Sequence, residues 1–197
     1  MSLSLLPTIP VLHLLLSSAP KQDPLQKRRS EDAAVAFTWY TYMMNTTASP
    51  DWILYFPMAR GVSKAMDATT EFAAMMNPDI QLKKWMTFGA SKRGWTTWFI
   101  AASDSRVIGA APIVMDLLNF EQGVQHMWQT LGNWTFAFTD YLEMRVPAYF
   151  GTPYVKRLAA IIDPLSYAAN LTMSKLVIDA TGDEFFQPQG VYNKHIP

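Results

Sequence analysis

Between Trp85 and Ala102 the chain passes from a short apolar run into a helix-like pattern, with only Gly89-Ala90-Ser91 between the two. A strand that turns this sharply into a helix forces the residue at the turn into a strained conformation and lifts its side chain clear of the backbone. Small neighbours relieve the crowding, and here they stand one and two residues before the serine. The helix that follows turns its positive dipole end and its first N–H groups toward the same point, where an oxyanion could be held. The segment therefore reads as a nucleophile turn centred on Ser91. It departs from the pattern G-x-S-x-G, because Arg93 takes the second position after the serine and glycine comes one later, at Gly94. A serine N-cap at an ordinary strand–helix junction gives the same local pattern, so both readings stay open at this point.

The surrounding sequence alternates strand and helix. Ser30 stands where it can cap a helix over about 31–44 whose first turn holds Glu31 and Asp32, where negative charge suits the helix dipole. Ile53 to Pro57 reads as a short apolar strand between turn signals, and a second helix is expected over about 62–76, ending before Asn77-Pro78. Strands are expected at Trp85 to Phe88, Val107 to Met115 and Lys175 to Ala180, with a helix from Lys92 to Ala102. Residues 117–160 read as several aromatic-rich helices. Near-continuous apolar strands are those covered on both sides, so the expected class is α/β: a mostly parallel sheet with helices on both faces and a helical cap-like insertion over 117–165.

The length of 197 residues fits a single domain with one sizeable core. Lys plus Arg and Asp plus Glu number 16 each, which leaves no basic surplus for a nucleic-acid partner. Cysteine is absent, which excludes disulfides, thiolate metal sites and cysteine nucleophiles. No metal or cofactor motif is evident. No stretch is long and apolar enough for a transmembrane helix. The apolar N-terminal residues lack a preceding basic residue and contain Pro7 and Pro10, which fits a short buried strand near 10–17 better than a signal peptide. Asn45, Asn133 and Asn170 each open an Asn-x-Thr sequon, a glycosylation signal only in a secreted context.

A serine hydroxyl needs a base to take its proton, usually a histidine held by a carboxylate. In α/β-hydrolases the partners follow in the order serine, acid, histidine. Asp183 lies just past the last expected strand, where the acid sits; its alternative role is that of a turn residue in Thr181-Gly182-Asp183. Asp116, at the end of the preceding strand, is the alternative acid, or else a cap for the helix after it. The histidines are His13, His126 and His195. His13 and His126 lie in apolar and aromatic surroundings that suit packing. His195 has the right order, but it follows Asp183 more closely than the usual connecting loop and helix allow, so the triad is expected to be incomplete.

Seven strings recur in one order. They begin with Arg29-Ser30-Glu31-Asp32-Ala33, Phe56-Pro57-Met58 and Lys64-Ala65-Met66-Asp67-Ala68. The longest, Gly89-Ala90-Ser91-Lys92-Arg93-Gly94-Trp95-Thr96-Thr97-Trp98, is followed by Val114-Met115-Asp116-Leu117-Leu118-Asn119. Asp163-Pro164-Leu165-Ser166-Tyr167 and Ala180-Thr181-Gly182-Asp183-Glu184-Phe185-Phe186 close the series. Together they resemble the PhoPQ-activated pathogenicity-related proteins, a family that includes secreted autocrine proliferation repressors of amoebae. The resemblance implies a partial α/β-hydrolase fold with Ser91 as nucleophile and Asp183 as acid, truncated at both ends relative to the family. It also implies an extracellular location. A serine followed by a basic residue, with glycine third, is similar to glucuronoyl esterases as well, where the basic side chain assists the oxyanion; that similarity implies such a role for Lys92.

Two functions follow as expectations. One is a serine hydrolase of a small ester or peptide substrate, in which the Lys92 N–H helps hold the oxyanion and Trp128 and Trp134 wall the pocket, unless they simply pack the core. The other is a non-catalytic secreted factor that binds a cell-surface receptor through the same scaffold.

Overall fold

The computed structural model describes residues 29–116 and 118–188. The expected helix over 31–44 is present as α1 (Glu31–Met44). The strand expected at Ile53 to Pro57 is not. After a 3₁₀ turn over Pro50–Trp52, those residues open the long helix α2 (Tyr55–Met76), with Pro57 in its first turn. Proline is tolerated there because the N–H it lacks would have had no partner inside the helix. The short apolar run is thus the buried face of a helix start, which periodicity over five residues cannot separate from a strand.

The turn at Ser91 joins β1 (Trp85–Ala90) to α3 (Lys92–Ser103), and β2 (Val107–Ile113) follows. Between β2 and the last strand, β3 (Ser174–Lys175), the chain is helical. It contains α4 (Phe120–Leu131), α5 (Thr139–Glu143) and α6 (Pro153–Ile162), with 3₁₀ turns between and after them. The sheet is parallel, in the order β1-β2-β3.

β3 is shorter than expected. Beyond Lys175 its pairing thins to single bonds: Leu176 N–H donates to the Ala110 carbonyl, Ile178 N–H to the Pro112 carbonyl, and Val114 N–H to the Ile178 carbonyl. Pro112 explains the thinning. It accepts from Ile178 but has no N–H to return, so the ladder lacks a rung.

The sheet is covered on one face. There α3 lays Trp95, Trp98 and Phe99 against a core shared with α1 and α2. The Trp95 ring stacks on Tyr55 with centroids 4.6 Å apart and meets Trp39 edge-on at 5.5 Å. Phe120, the first residue of α4, joins the same cluster 5.2 Å from Trp39, which docks the helical segment onto the core. On the opposite face, register aligns Met86 with Gly109, Phe88 with Ala111 and Ile113 with Ile178. Met86 and Phe88 are 73% and 76% exposed there, and Leu176 and Ile178 are exposed as well. The expectation of helices on both faces is therefore met on one face among the described residues.

A clasp ties α2 to the start of β2. The Arg106 guanidinium bonds Asp104 at 2.6 Å, Asp67 at 2.7 Å and the Ser63 hydroxyl at 3.0 Å.

Candidate functional site

Ser91 has φ 54° and ψ −127°, a combination that L-residues rarely adopt. Its N–H donates to the Ile113 carbonyl at 2.9 Å, and its own carbonyl accepts from Trp95 at 3.0 Å. One bond holds the turn to the neighbouring strand and the other starts α3. Ser91 is thus held over-determined between sheet and helix, and its side chain makes no N-cap bond. Ser91 therefore occupies the N-cap position of α3 without a side-chain cap.

The glycines explain the departure from G-x-S-x-G. A Cβ on Gly89 would lie 2.6 Å from the Arg93 carbonyl oxygen. A Cβ on Gly94 would lie 2.8 Å from Cβ of Met115 and 3.0 Å from the Gly89 carbonyl oxygen. Close approach is needed at the third position after the serine because that residue faces β2, whereas Arg93, at the second, faces outward and is exposed.

Lys92 and Arg93 pose an electrostatic question. Two cations in the first turn of α3 oppose the helix dipole. The structure answers it with the first turn of α1. Lys92 Nζ lies 2.7 Å from Glu31 Oε2 and 3.4 Å from Asp32 Oδ2, with the Lys92 side chain only 10% exposed. Arg93 reaches Glu31 at 3.6 Å. The hydrogen bond and charge of Lys92 hold the Glu31 carboxyl below its ordinary range, against the opposing effect of burial. Glu31 itself takes a positive φ of 53°, and the Ser30 side chain makes no cap bond, so the cap expected of Ser30 is replaced by this cross-helix pairing. The Lys92 ammonium is thus committed to two carboxylates.

Behind them stands a phenol pair. The Tyr141 hydroxyl donates to Asp32 Oδ1 at 3.4 Å, and Tyr55 is buried beside it. Burial, with the Asp32 charge adding to it, pushes both phenols well above their ordinary range, so both remain protonated. Burial also raises Asp140, helped by the charges of Asp32 and Glu143.

Asp183 lies beyond the carboxyl end of β3, as Ser91 lies beyond that of β1, just after Gly182 at φ 81°. Its Oδ1 accepts from the N–H groups of Phe185 and Phe186, both at 2.8 Å. Phe185 in turn packs on Phe138 and Tyr141, at 5.8 and 6.2 Å between centroids. Phe185, two residues after Asp183, and Asp32, which pairs with Lys92, thus both contact Tyr141. Asp116, the alternative acid, is buried after β2, and the helix it was expected to cap begins instead at Phe120. The Phe120 N–H is held by Asp163 Oδ2 at 2.8 Å, while Oδ1 of the same carboxylate caps Leu165.

His126 lies on α4, half-buried, with Nε2 3.3 Å from the Thr130 hydroxyl one turn on. His13 and His195 lie outside the described residues, as does the strand expected near 10–17. Trp128 and Trp134 line a concavity of about 250 Å³ with Gln125, Gln129, Pro147 and Phe150, all from the helical segment. Among the described residues no helix is long and apolar enough to cross a membrane.

The partners of Lys92 were the chief omission from the sequence reading. The signal was present: two cations at a helix start ask for nearby carboxylates, and Glu31-Asp32 begins another helix.

The fold and site define an α/β protein with a strained serine at the strand-to-helix turn of a parallel sheet. The chain belongs to the PhoPQ-activated pathogenicity-related protein family, whose model matches residues 10–193. It is 40% identical over 161 residues to autocrine proliferation repressor protein A of Dictyostelium discoideum, an alignment covering 82% of this chain. The same alignment covers 32% of that relative, so the chain spans about a third of its length. No solved structure matches it.

Proposed function

We propose that this chain carries the nucleophile turn of an α/β-hydrolase-type serine hydrolase acting on ester or peptide bonds. The observation behind this reading is the backbone of Ser91, at φ 54° and ψ −127° between β1 and α3. Such strain costs about 1–3 kcal/mol and persists where it serves a purpose. The Ser91 hydroxyl would attack the substrate carbonyl, and the N–H of Lys92, at the unpaired start of α3, would steady the oxyanion. Asp183 would orient the histidine that takes the serine proton, with Asp116 as the alternative acid and His195 as the base within this chain. The helices over 117–165 would form a cap, with the Trp128–Trp134 concavity part of its inner wall.

The test is a fluorophosphonate probe followed by mass spectrometry of the labelled peptide. Labelling at Ser91, lost in Ser91→Ala, supports the hydrolase; an unlabelled, folded protein rejects it.

A second reading has its own support. The Lys92 side chain is paired with Glu31 and Asp32, and one relative is named for repressing proliferation. Under this reading the chain is a secreted, non-catalytic factor that binds a cell-surface receptor. Saturable binding to cells by the Ser91→Ala protein, undiminished from wild type, supports it.

A further inference from the structure

We infer that Asp32 is a positioning residue that locks together the turns bearing Ser91 and Asp183. The inference rests on the hydrolase reading for its catalytic consequence, but its structural content is independent of that reading.

Asp32 is the one carboxylate among the described residues bonded both to Lys92 and to Tyr141. Oδ2 faces the Lys92 ammonium at 3.4 Å, and Oδ1 accepts from the Tyr141 hydroxyl at 3.4 Å. Lys92 is the residue after Ser91, so pinning its side chain fixes the peptide whose N–H is aimed at the oxyanion. Without a partner, a cation at a helix start is pushed toward solvent by the dipole, and the first turn would fray with it. Glu31 meets the same ammonium more closely, at 2.7 Å, but its side chain is 51% exposed against 26% for Asp32, so solvent screens that shorter contact more.

On the other side, Tyr141 is buried, stacked on Phe138 at 4.7 Å and packed on Phe185. The Phe185 N–H is one of the two held by Asp183. Moving Tyr141 therefore moves the ring that follows the acid. A buried hydroxyl left without its acceptor would rearrange, since such groups are costly when unpaired. The chain of contacts runs Ser91–Lys92–Asp32–Tyr141–Phe185–Asp183 and joins four segments distant in sequence.

The test uses the full chain and three variants, Asp32→Asn, Asp32→Glu and Tyr141→Phe. Backbone hydrogen exchange is followed by mass spectrometry over 91–99 and 183–188, alongside the rate of fluorophosphonate labelling. For Asp32→Asn we expect faster exchange in both stretches and labelling slowed about tenfold, with at least half of each effect recovered in Asp32→Glu. Tyr141→Phe, which removes only a hydroxyl, should speed exchange in 183–188 and slow labelling about threefold. Should Asp32→Asn fail to fold, the Tyr141→Phe result decides. Exchange altered only around 29–36, or uniformly along the chain, would overturn the inference. If the wild-type protein is not labelled, the hydrolase reading falls, and the exchange pattern alone decides whether Asp32 couples the two turns.

Discussion

Gly94 and Met115 approach so closely that a methyl group on the glycine would sit 2.8 Å from Cβ of the methionine. This contact presses the start of α3 against the end of β2 and lets the Ser91 turn close. Gly94→Ala is therefore expected to cost about 1–3 kcal/mol, the range for overpacking a tight site. Urea denaturation measures it; an unchanged midpoint would show that β2 can shift aside. Gly89→Ala should cost more, because its Cβ would come closer to backbone, 2.6 Å from the Arg93 carbonyl oxygen.

The strain at Ser91 predicts a trade of stability against chemistry. Glycine tolerates φ 54° and ψ −127° far better than serine, although it also frees the unfolded chain. Ser91→Gly is expected to gain about 1 kcal/mol while losing all fluorophosphonate labelling. A Ser91→Gly protein that melts lower than wild type would mean that the turn is not strained in solution.

The Arg106 clasp predicts an acid dependence. Hydrogen bonding and charge from Arg106 hold the Asp104 carboxyl far below its ordinary range, against the effect of burial. A carboxylate depressed in the folded state lends stability that is complete above its unfolded pKa, about 3.9, and is lost as pH falls below it. Wild-type stability should therefore fall from roughly pH 5 downward. Arg106→Gln should flatten that slope and lower the stability at pH 7 by about 1 kcal/mol, since the guanidinium is partly exposed. Parallel pH–stability curves for the two proteins would contradict the assignment.

Asp163 holds two segment starts with one carboxylate, Phe120 through Oδ2 and Leu165 through Oδ1. Burial raises its pKa against the pull of these N–H groups, so its ionisation is a cost that the two caps offset. Asp163→Ala uncaps both, and is expected to destabilise by about 2–3 kcal/mol. Circular dichroism melting checks it, and a loss under about 0.5 kcal/mol would place the caps in water instead.

Much of the architecture could be read from residue pattern. The helix at Glu31–Met44, the strands beginning at Trp85 and Val107 and the turn at Ser91 follow from periodicity and small-residue placement, which are local properties. The strand expected at Ile53–Pro57 failed because five apolar residues fit a buried helix start as well as a strand. β3 was overestimated because the missing rung comes from Pro112, a residue of another strand. Asp183 follows β3 in the chain, and His195 lies outside the described residues.

By itself the order of residues determined where backbone could bend: Gly89, Ala90 and Gly94 leave room for a tight turn that larger side chains would block. Only the tertiary structure decided which charges meet. Asp32 is 60 positions from Lys92 and 109 from Tyr141. Nothing local to any of them specifies that pairing; it arises because two helices begin at the same edge of one sheet, and unlike charges brought out of water there must find one another.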